Sequence, residues 1–141
     1  MSDIALASTD ADLAACFPVI AQLRPHLTQA EFVARMRRQQ AQGFQLVALR
    51  AHGVVAAVAG FRVLENLAWG RFLYVDDLVT DEACRSQGHG EALMDWLIAY
   101  ARAEGCDQFH LDSGVQRFGA HRFYLARRMD ITCHHFALKL K

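Results

Sequence analysis

At 141 residues, 53% of them hydrophobic, the chain carries enough apolar side chain for one buried core and is read as a single domain over residues 1–141. Fifteen Lys and Arg balance fifteen Asp and Glu, so the overall charge argues against nucleic acid or an anionic membrane as a partner. Met1-Ser2-Asp3-Ile4 lacks a basic stretch leading into an apolar segment, and no run approaches about 18 apolar residues, which points to a soluble, cytoplasmic protein.

Thr9-Asp10-Ala11-Asp12 offers an N-cap and an acidic first turn, after which Leu13, Cys16, Phe17, Ile20 and Leu23 recur at helical spacing up to Pro25. Thr28-Gln29-Ala30-Glu31 has the form of a capping box, which predicts a second helix through about Gln40 with Arg35, Arg37 and Arg38 on a basic outer face. Such a charge cluster reads first as a solvated helix face and second as a device for steering an anionic ligand. Phe44–Arg50 and Val54–Val63 follow as strands around the Ala51-His52-Gly53 turn, and Arg71–Thr80 returns as a third after the Leu64–Gly70 connection.

The polar segment after Thr80 contains Gly88 and Gly90 and gives way to Leu93, Trp96, Leu97 and Tyr100 at i, i+3, i+4 and i+7, the apolar face of a helix over Gly90–Glu104. Gly105 suits the left-handed position past its end, and Gln108–Leu111 reads as a short strand reached by a crossover. Ala120–Arg128 is predicted as a short helix and Thr132–Leu140 as a final strand, free to lie against solvent or to pair with a second copy as a homodimer. The order ααβββαβαβ implies an α+β domain with a mixed, mostly antiparallel sheet, flanking helices and a central β-loop-α unit.

The start of a helix leaves N–H groups without partners and carries partial positive charge, so glycines that let a ligand approach make it a site for an anion, a diphosphate above all. A glycine pair before a helix is also an ordinary strand-to-helix turn. Here Arg85-Ser86-Gln87-Gly88-His89-Gly90 resembles the Arg/Gln-x-x-Gly-x-Gly/Ala motif of the GNAT family, the Gcn5-related N-acetyltransferases. Asp77-Leu78-Val79-Thr80-Asp81 stands where that family has its fourth strand, and Ala120-His121-Arg122-Phe123-Tyr124 is similar to its Ala-x-x-Phe-Tyr segment. The predicted element order also resembles the GNAT fold, whose first strand would here be supplied by Ile4-Ala5-Leu6-Ala7.

The resemblance implies acetyl-CoA as acyl donor, with the backbone of Leu78, Val79 and Thr80 beside the pantetheine and the segment Arg85, Ser86, Gln87, Gly88, His89, Gly90 and Glu91 on the pyrophosphate. It also implies that Tyr124 stands near the thioester sulfur, and a phenol of pKa about 10 is protonated at neutral pH yet able to give its proton to a thiolate. The family often has Asn where this chain has Arg117, so no asparagine contact carries over; Arg117 could reach a cofactor phosphate instead. A half-buried structural role is the plain alternative for Tyr124.

Acyl transfer to an amine also needs a base. Asp76 and Asp77 lie on the strand that leads into the loop and, in a regular strand, point to opposite faces. Parity with Leu78 and Thr80 favours Asp76 as the base, with Asp77 or Glu65 as substitutes or as groups that bind the substrate. These acidic residues hint at a cationic acceptor amine. Cys16, Cys84, Cys106 and Cys133 are widely separated, with no Cys-x-x-Cys pair and no zinc spacing, so no metal is expected and the thiols read as structural. The resulting expectation is an N-acetyltransferase that acts by direct attack in a ternary complex. Against it stand a catalytically silent acyl-CoA-binding sensory module and a small nucleotide-binding domain, the latter lacking both an acidic ribose ligand and a Lys-Ser/Thr after the loop.

Overall fold

A computed structural model describes residues 2–141. Its contacts fall into two compact units, one up to His110 and one from Leu111 onward. The first unit opens with strand β1 (Ser2–Leu6), helices α1 (Asp10–Leu23) and α2 (Gln29–Gln40), and strands β2 (Gln45–Ala51), β3 (Val54–Asn66) and β4 (Gly70–Thr80). A 3₁₀ turn (Glu82–Cys84), helix α3 (His89–Ala103) and strand β5 (Gln108–Leu111) follow, and helix α4 (Phe118–Ala126) belongs to the second unit.

The five strands lie in the order β1-β2-β3-β4-β5, with β1–β2, β2–β3 and β3–β4 antiparallel. The short apolar segment at the start of the chain does supply β1, because Asp3–Leu6 finds a partner in Val47–Arg50. The β3 and β4 strands are longer than their apolar runs, since the hairpin continues through Glu65 opposite Arg71 to a tight connection at Asn66 and Gly70.

Each face of the sheet buries a helix layer. Leu13, Cys16, Val19 and Ile20 of α1 and Phe32 and Met36 of α2 pack with Leu46, Val58 and Val79 in one cluster. On α3, Leu93, Met94 and Leu97 are fully buried, and Phe61 of β3 meets Trp96 and Tyr100 edge-on with ring centroids 6.0 and 5.1 Å apart. Burying side chains of this size contributes about 1.5–3 kcal/mol each, which fixes the layers on the sheet and with them the loop between β4 and α3.

The helix ends follow their local chemistry with one exception. The Thr9 hydroxyl accepts from the Asp12 N–H at 3.1 Å, and Gly105 takes φ +72° just past α3. The expected capping box at α2 does not form. Thr28 is extended at the N-cap position but its side chain makes no cap hydrogen bond, and the Glu31 N–H instead reaches the Thr28 carbonyl at 3.3 Å. In the second unit the predicted helix is present two residues early, whereas Thr132–Leu140 forms no strand. Alternating hydrophobicity specifies a strand only where a neighbour takes up its N–H and C=O groups, and Ile131, Phe136, Leu138 and Leu140 stand exposed.

Candidate active site

The β4 strand runs from the core into the glycine loop. Its register with β3 shifts between Gly60 and Phe61: Gly60 stands opposite Asp77 and Phe61 opposite Val75, which leaves Asp76 as the extra residue of a β-bulge. The bulge breaks the alternation on which the sequence argument relied. Asp76 and Asp77 do not point to opposite faces; both line a cavity of about 420 Å³ on the side of α1 and α2. Val79, two residues on, belongs to the cluster on that same side, so the parity that tied Asp76 to Leu78 and Thr80 is lost.

The cavity floor is apolar, with Ile20, Phe32, Met36, Phe44 and Leu46, and its rim carries Arg24, His26, Arg35, Arg62, Tyr74 and the two aspartates. Both carboxylates are engaged. Arg24 Nε donates to Asp77 Oδ1 at 2.8 Å, and its Nη2 reaches the Asp76 carbonyl at 3.2 Å. Arg62 Nε lies 3.2 and 3.1 Å from the two Asp76 oxygens and its Nη2 3.1 Å from Oδ2, while the guanidinium sits 5.0 Å above the Phe44 ring centre. Burial pushes the Asp76 carboxyl up from its ordinary value, and the facing Arg62 guanidinium pulls it back only in part. Glu65 is exposed near the far end of the hairpin, opposite Arg71, and does not line the cavity.

Beyond the bulge, Leu78, Val79 and Thr80 pair on one side with Ala59, Val58 and Ala57. On the other side β5 is only four residues long, and its approach is anchored at the start of β4 by the Asp107 N–H to the Arg71 carbonyl at 2.6 Å. Four residues beginning there stop well short of Leu78.

The chain then turns into α3 under the hold of α1. Gln22 Nε2 donates to Asp81 Oδ1 at 3.2 Å and Gln22 Oε1 accepts from the Glu82 N–H at 3.0 Å. The Ala83 N–H and then Gln22, both donating to Asp81, hold its carboxyl below the usual range. Ser86 adopts φ +65° and Gly88 φ +79°, ψ 12°, as N-cap of α3. A Cβ at Gly88 would meet no protein atom within 4 Å, so glycine answers here to the left-handed dihedral rather than to crowding.

The first bond of α3 runs from the Ala92 N–H to the Gly88 carbonyl at 3.0 Å, which leaves the N–H groups of His89, Gly90 and Glu91 without helical partners and no N-cap side chain to serve them. Arg85 and Gln87 are exposed in front of them. His89, expected to matter only through its backbone, also brings a shielded Nε2 without a hydrogen-bond partner among the described residues. Nothing in the spacing of the motif signals this.

In the second unit Arg117 precedes α4 and Tyr124 lies within it. Burial raises the Tyr124 phenol above 10.0, with the nearby Arg117 guanidinium drawing it down in part, so the hydroxyl keeps its proton at neutral pH. His121 Nε2 bonds the Gly114 carbonyl at 2.8 Å, which marks it as a structural residue of the preceding loop.

A strand broken by a bulge, followed by a glycine turn with bare helix amides, is the arrangement on which the comparison with known proteins bears. The profile of the acetyltransferase (GNAT) family matches residues 7–129. This chain belongs to the GNAT family. It is 34% identical over 109 residues to the uncharacterised N-acetyltransferase YhdJ of Bacillus subtilis (strain 168), covering 77% of each protein. It is also 34% identical over 88 residues to glucosamine 6-phosphate N-acetyltransferase 1 of Oryza sativa subsp. japonica, covering 58% of this chain and 53% of that protein. The aminoglycoside N-acetyltransferase AAC(6')-Iy, solved in complex with CoA, shares the fold with a TM-score of 0.87 at 14% identity, over 99% of this chain and 94% of that one. The GNAT chain thus has N-acetyltransferases as its relatives, and among the described residues it shows no group of side chains that could hold a metal and no helix long and apolar enough to cross a membrane.

Proposed function

We propose that this GNAT protein transfers the acetyl group of acetyl-CoA to a primary amine of a small molecule or peptide, by direct attack in a ternary complex. The observation that carries the reading is the open front of α3, where the N–H groups of His89, Gly90 and Glu91 stand behind the left-handed Gly88. Those amides, with Arg85, Ser86 and Gln87, bind the pyrophosphate, and the helix dipole favours its charge. The backbone edge of Leu78, Val79 and Thr80 takes the pantetheine as an added strand, and Arg117 contacts a cofactor phosphate.

In the reaction the amine nitrogen attacks the thioester carbonyl carbon, and the tetrahedral adduct collapses with loss of the CoA thiolate. Tyr124 gives its proton to that sulfur, and the resulting phenolate takes up the proton that the adduct nitrogen sheds as the amide forms. The ammonium proton of the acceptor passes to Asp76, through water where the distance requires it, while Asp77 orients the amine from the same cavity wall. Glu65, away from the cavity, has no part in this scheme.

Release of free CoA thiol across a panel of amines tests the reading. Turnover by the wild type that falls about 10²-fold or more in kcat for Tyr124→Phe, with acetyl-CoA binding retained, is the expected result. Equal loss of binding and turnover would make the tyrosine structural. One observation favours a second reading, an acyl-CoA-binding module without turnover: both carboxylates in the cavity are already held by arginines. Acetyl-CoA binding with no thiol release from any amine would select it.

A further inference from the structure

The acidic pair that pointed to a cationic acceptor is neutralised within its own cavity, and the excess charge there is positive. Arg24 is committed to Asp77 and Arg62 to Asp76. The third guanidinium on the rim, Arg35, has no hydrogen-bond or ion-pair partner among the described residues. Its position is set by helical spacing: Phe32, Arg35, Met36 and Gln39 recur at i, i+3, i+4 and i+7 of α2, and all four line the cavity. The neighbouring arginine behaves differently. Arg37 faces away to α1, where Nη2 donates to the Ser8 carbonyl at 3.1 Å and lies 2.6 Å from Asp10 Oδ1. The basic face read from the sequence is therefore divided, one arginine tying α2 to α1 and another turned to the cavity.

We infer that the acceptor amine carries an oxyanion group, phosphate or carboxylate, which Arg35 binds at the mouth of this cavity. The inference rests on the acetyltransferase reading for the word acceptor, but the anion site itself does not. Among the residues that line the cavity, three guanidinium groups face two carboxylates above an apolar floor, an excess of one positive charge in the lining itself. A planar guanidinium offers an oxyanion two parallel N–H donors. A polyamine or other acceptor of purely positive charge would instead meet net repulsion and would have to break an existing ion pair.

Thermal melting with inorganic phosphate and, separately, acetate at fixed ionic strength tests this, in the presence of saturating CoA so that the cofactor's own phosphate site is filled. The expected result is a rise in Tm of about 2 °C or more over matched chloride with at least one of the two anions, lost in Arg35→Gln. Phosphate alone identifies a phosphorylated amine, acetate alone an amino acid or similar carboxylate. No shift with either anion, or a shift that survives in Arg35→Gln, overturns the inference. Arg35 is exposed, so the variant folds. Failure of the acetyltransferase reading shows separately, as no thiol release from any amine, and the anion titration still reads the same contrast between wild type and Arg35→Gln.

Discussion

Cys16 shows how a residue's surroundings set its chemistry. On α1 it is fully buried in the cluster shared with α2 and the sheet, and that burial pushes its thiol from 9.0 up to about 11, with Arg50 lowering it and Asp12 raising it. The unfolded thiol ionises near 9.0 while the folded one stays neutral, so the folded state binds more protons and stability falls as pH rises from about 9 to about 11. The loss is of the order of 2 kcal/mol, to be measured as a steeper alkaline decline in urea-unfolding free energy than a Cys16→Ala variant shows. Cys84, Cys106 and Cys133, which are half-buried or exposed, should meanwhile react with a thiol reagent at pH 8 before unfolding and Cys16 only after it. Simultaneous reaction of all four in the native protein would contradict this placement.

At the scale of elements, the β-bulge in β4 decides what the site contains, and Gly60 opposite it decides whether the bulge fits. A Cβ at Gly60 would run into the Phe44 ring and stand 3.1 Å from Asp77 Oδ2. Phe44 is buried and covered on one face by the Arg62 guanidinium, so its ring can yield only toward the cavity and at the expense of that contact. Gly60→Ala should therefore cost about 1–3 kcal/mol in urea unfolding and loosen the Arg62–Asp76 pair. An unchanged midpoint would show that Phe44 is not packed as described. Neither the bulge nor this glycine's role was legible in the sequence. Val54–Val63 reads as an unbroken apolar strand, and a bulge is a mismatch between two strands that no single strand displays. The helices, by contrast, were legible to within about two residues, because their caps and 3.6-residue spacing are local: Thr9 and Gly105 act where the pattern put them, although the Thr28 box does not form and α4 starts two residues early.

For the whole molecule, the family followed from short motifs in fixed succession, since the glycine turn, the fourth strand and the Phe-Tyr helix each report a local backbone requirement, and the order of elements as far as α4 followed from local periodicity. The acceptor side did not follow, because its charges come from four elements far apart in the chain, and only folding sets Arg24, Arg35 and Arg62 against Asp76 and Asp77. The predicted last strand did not form: Thr132–Leu140 takes up no ladder, and its Phe136, Leu138 and Leu140 side chains stand exposed. What joins these scales is the front of α3, where bare amides meet the end of β4. A crystal structure with CoA measures this directly: the account predicts pyrophosphate oxygens about 2.7–3.2 Å from backbone nitrogens within Gly88–Glu91. A diphosphate bound elsewhere, with those amides left to water, would contradict it.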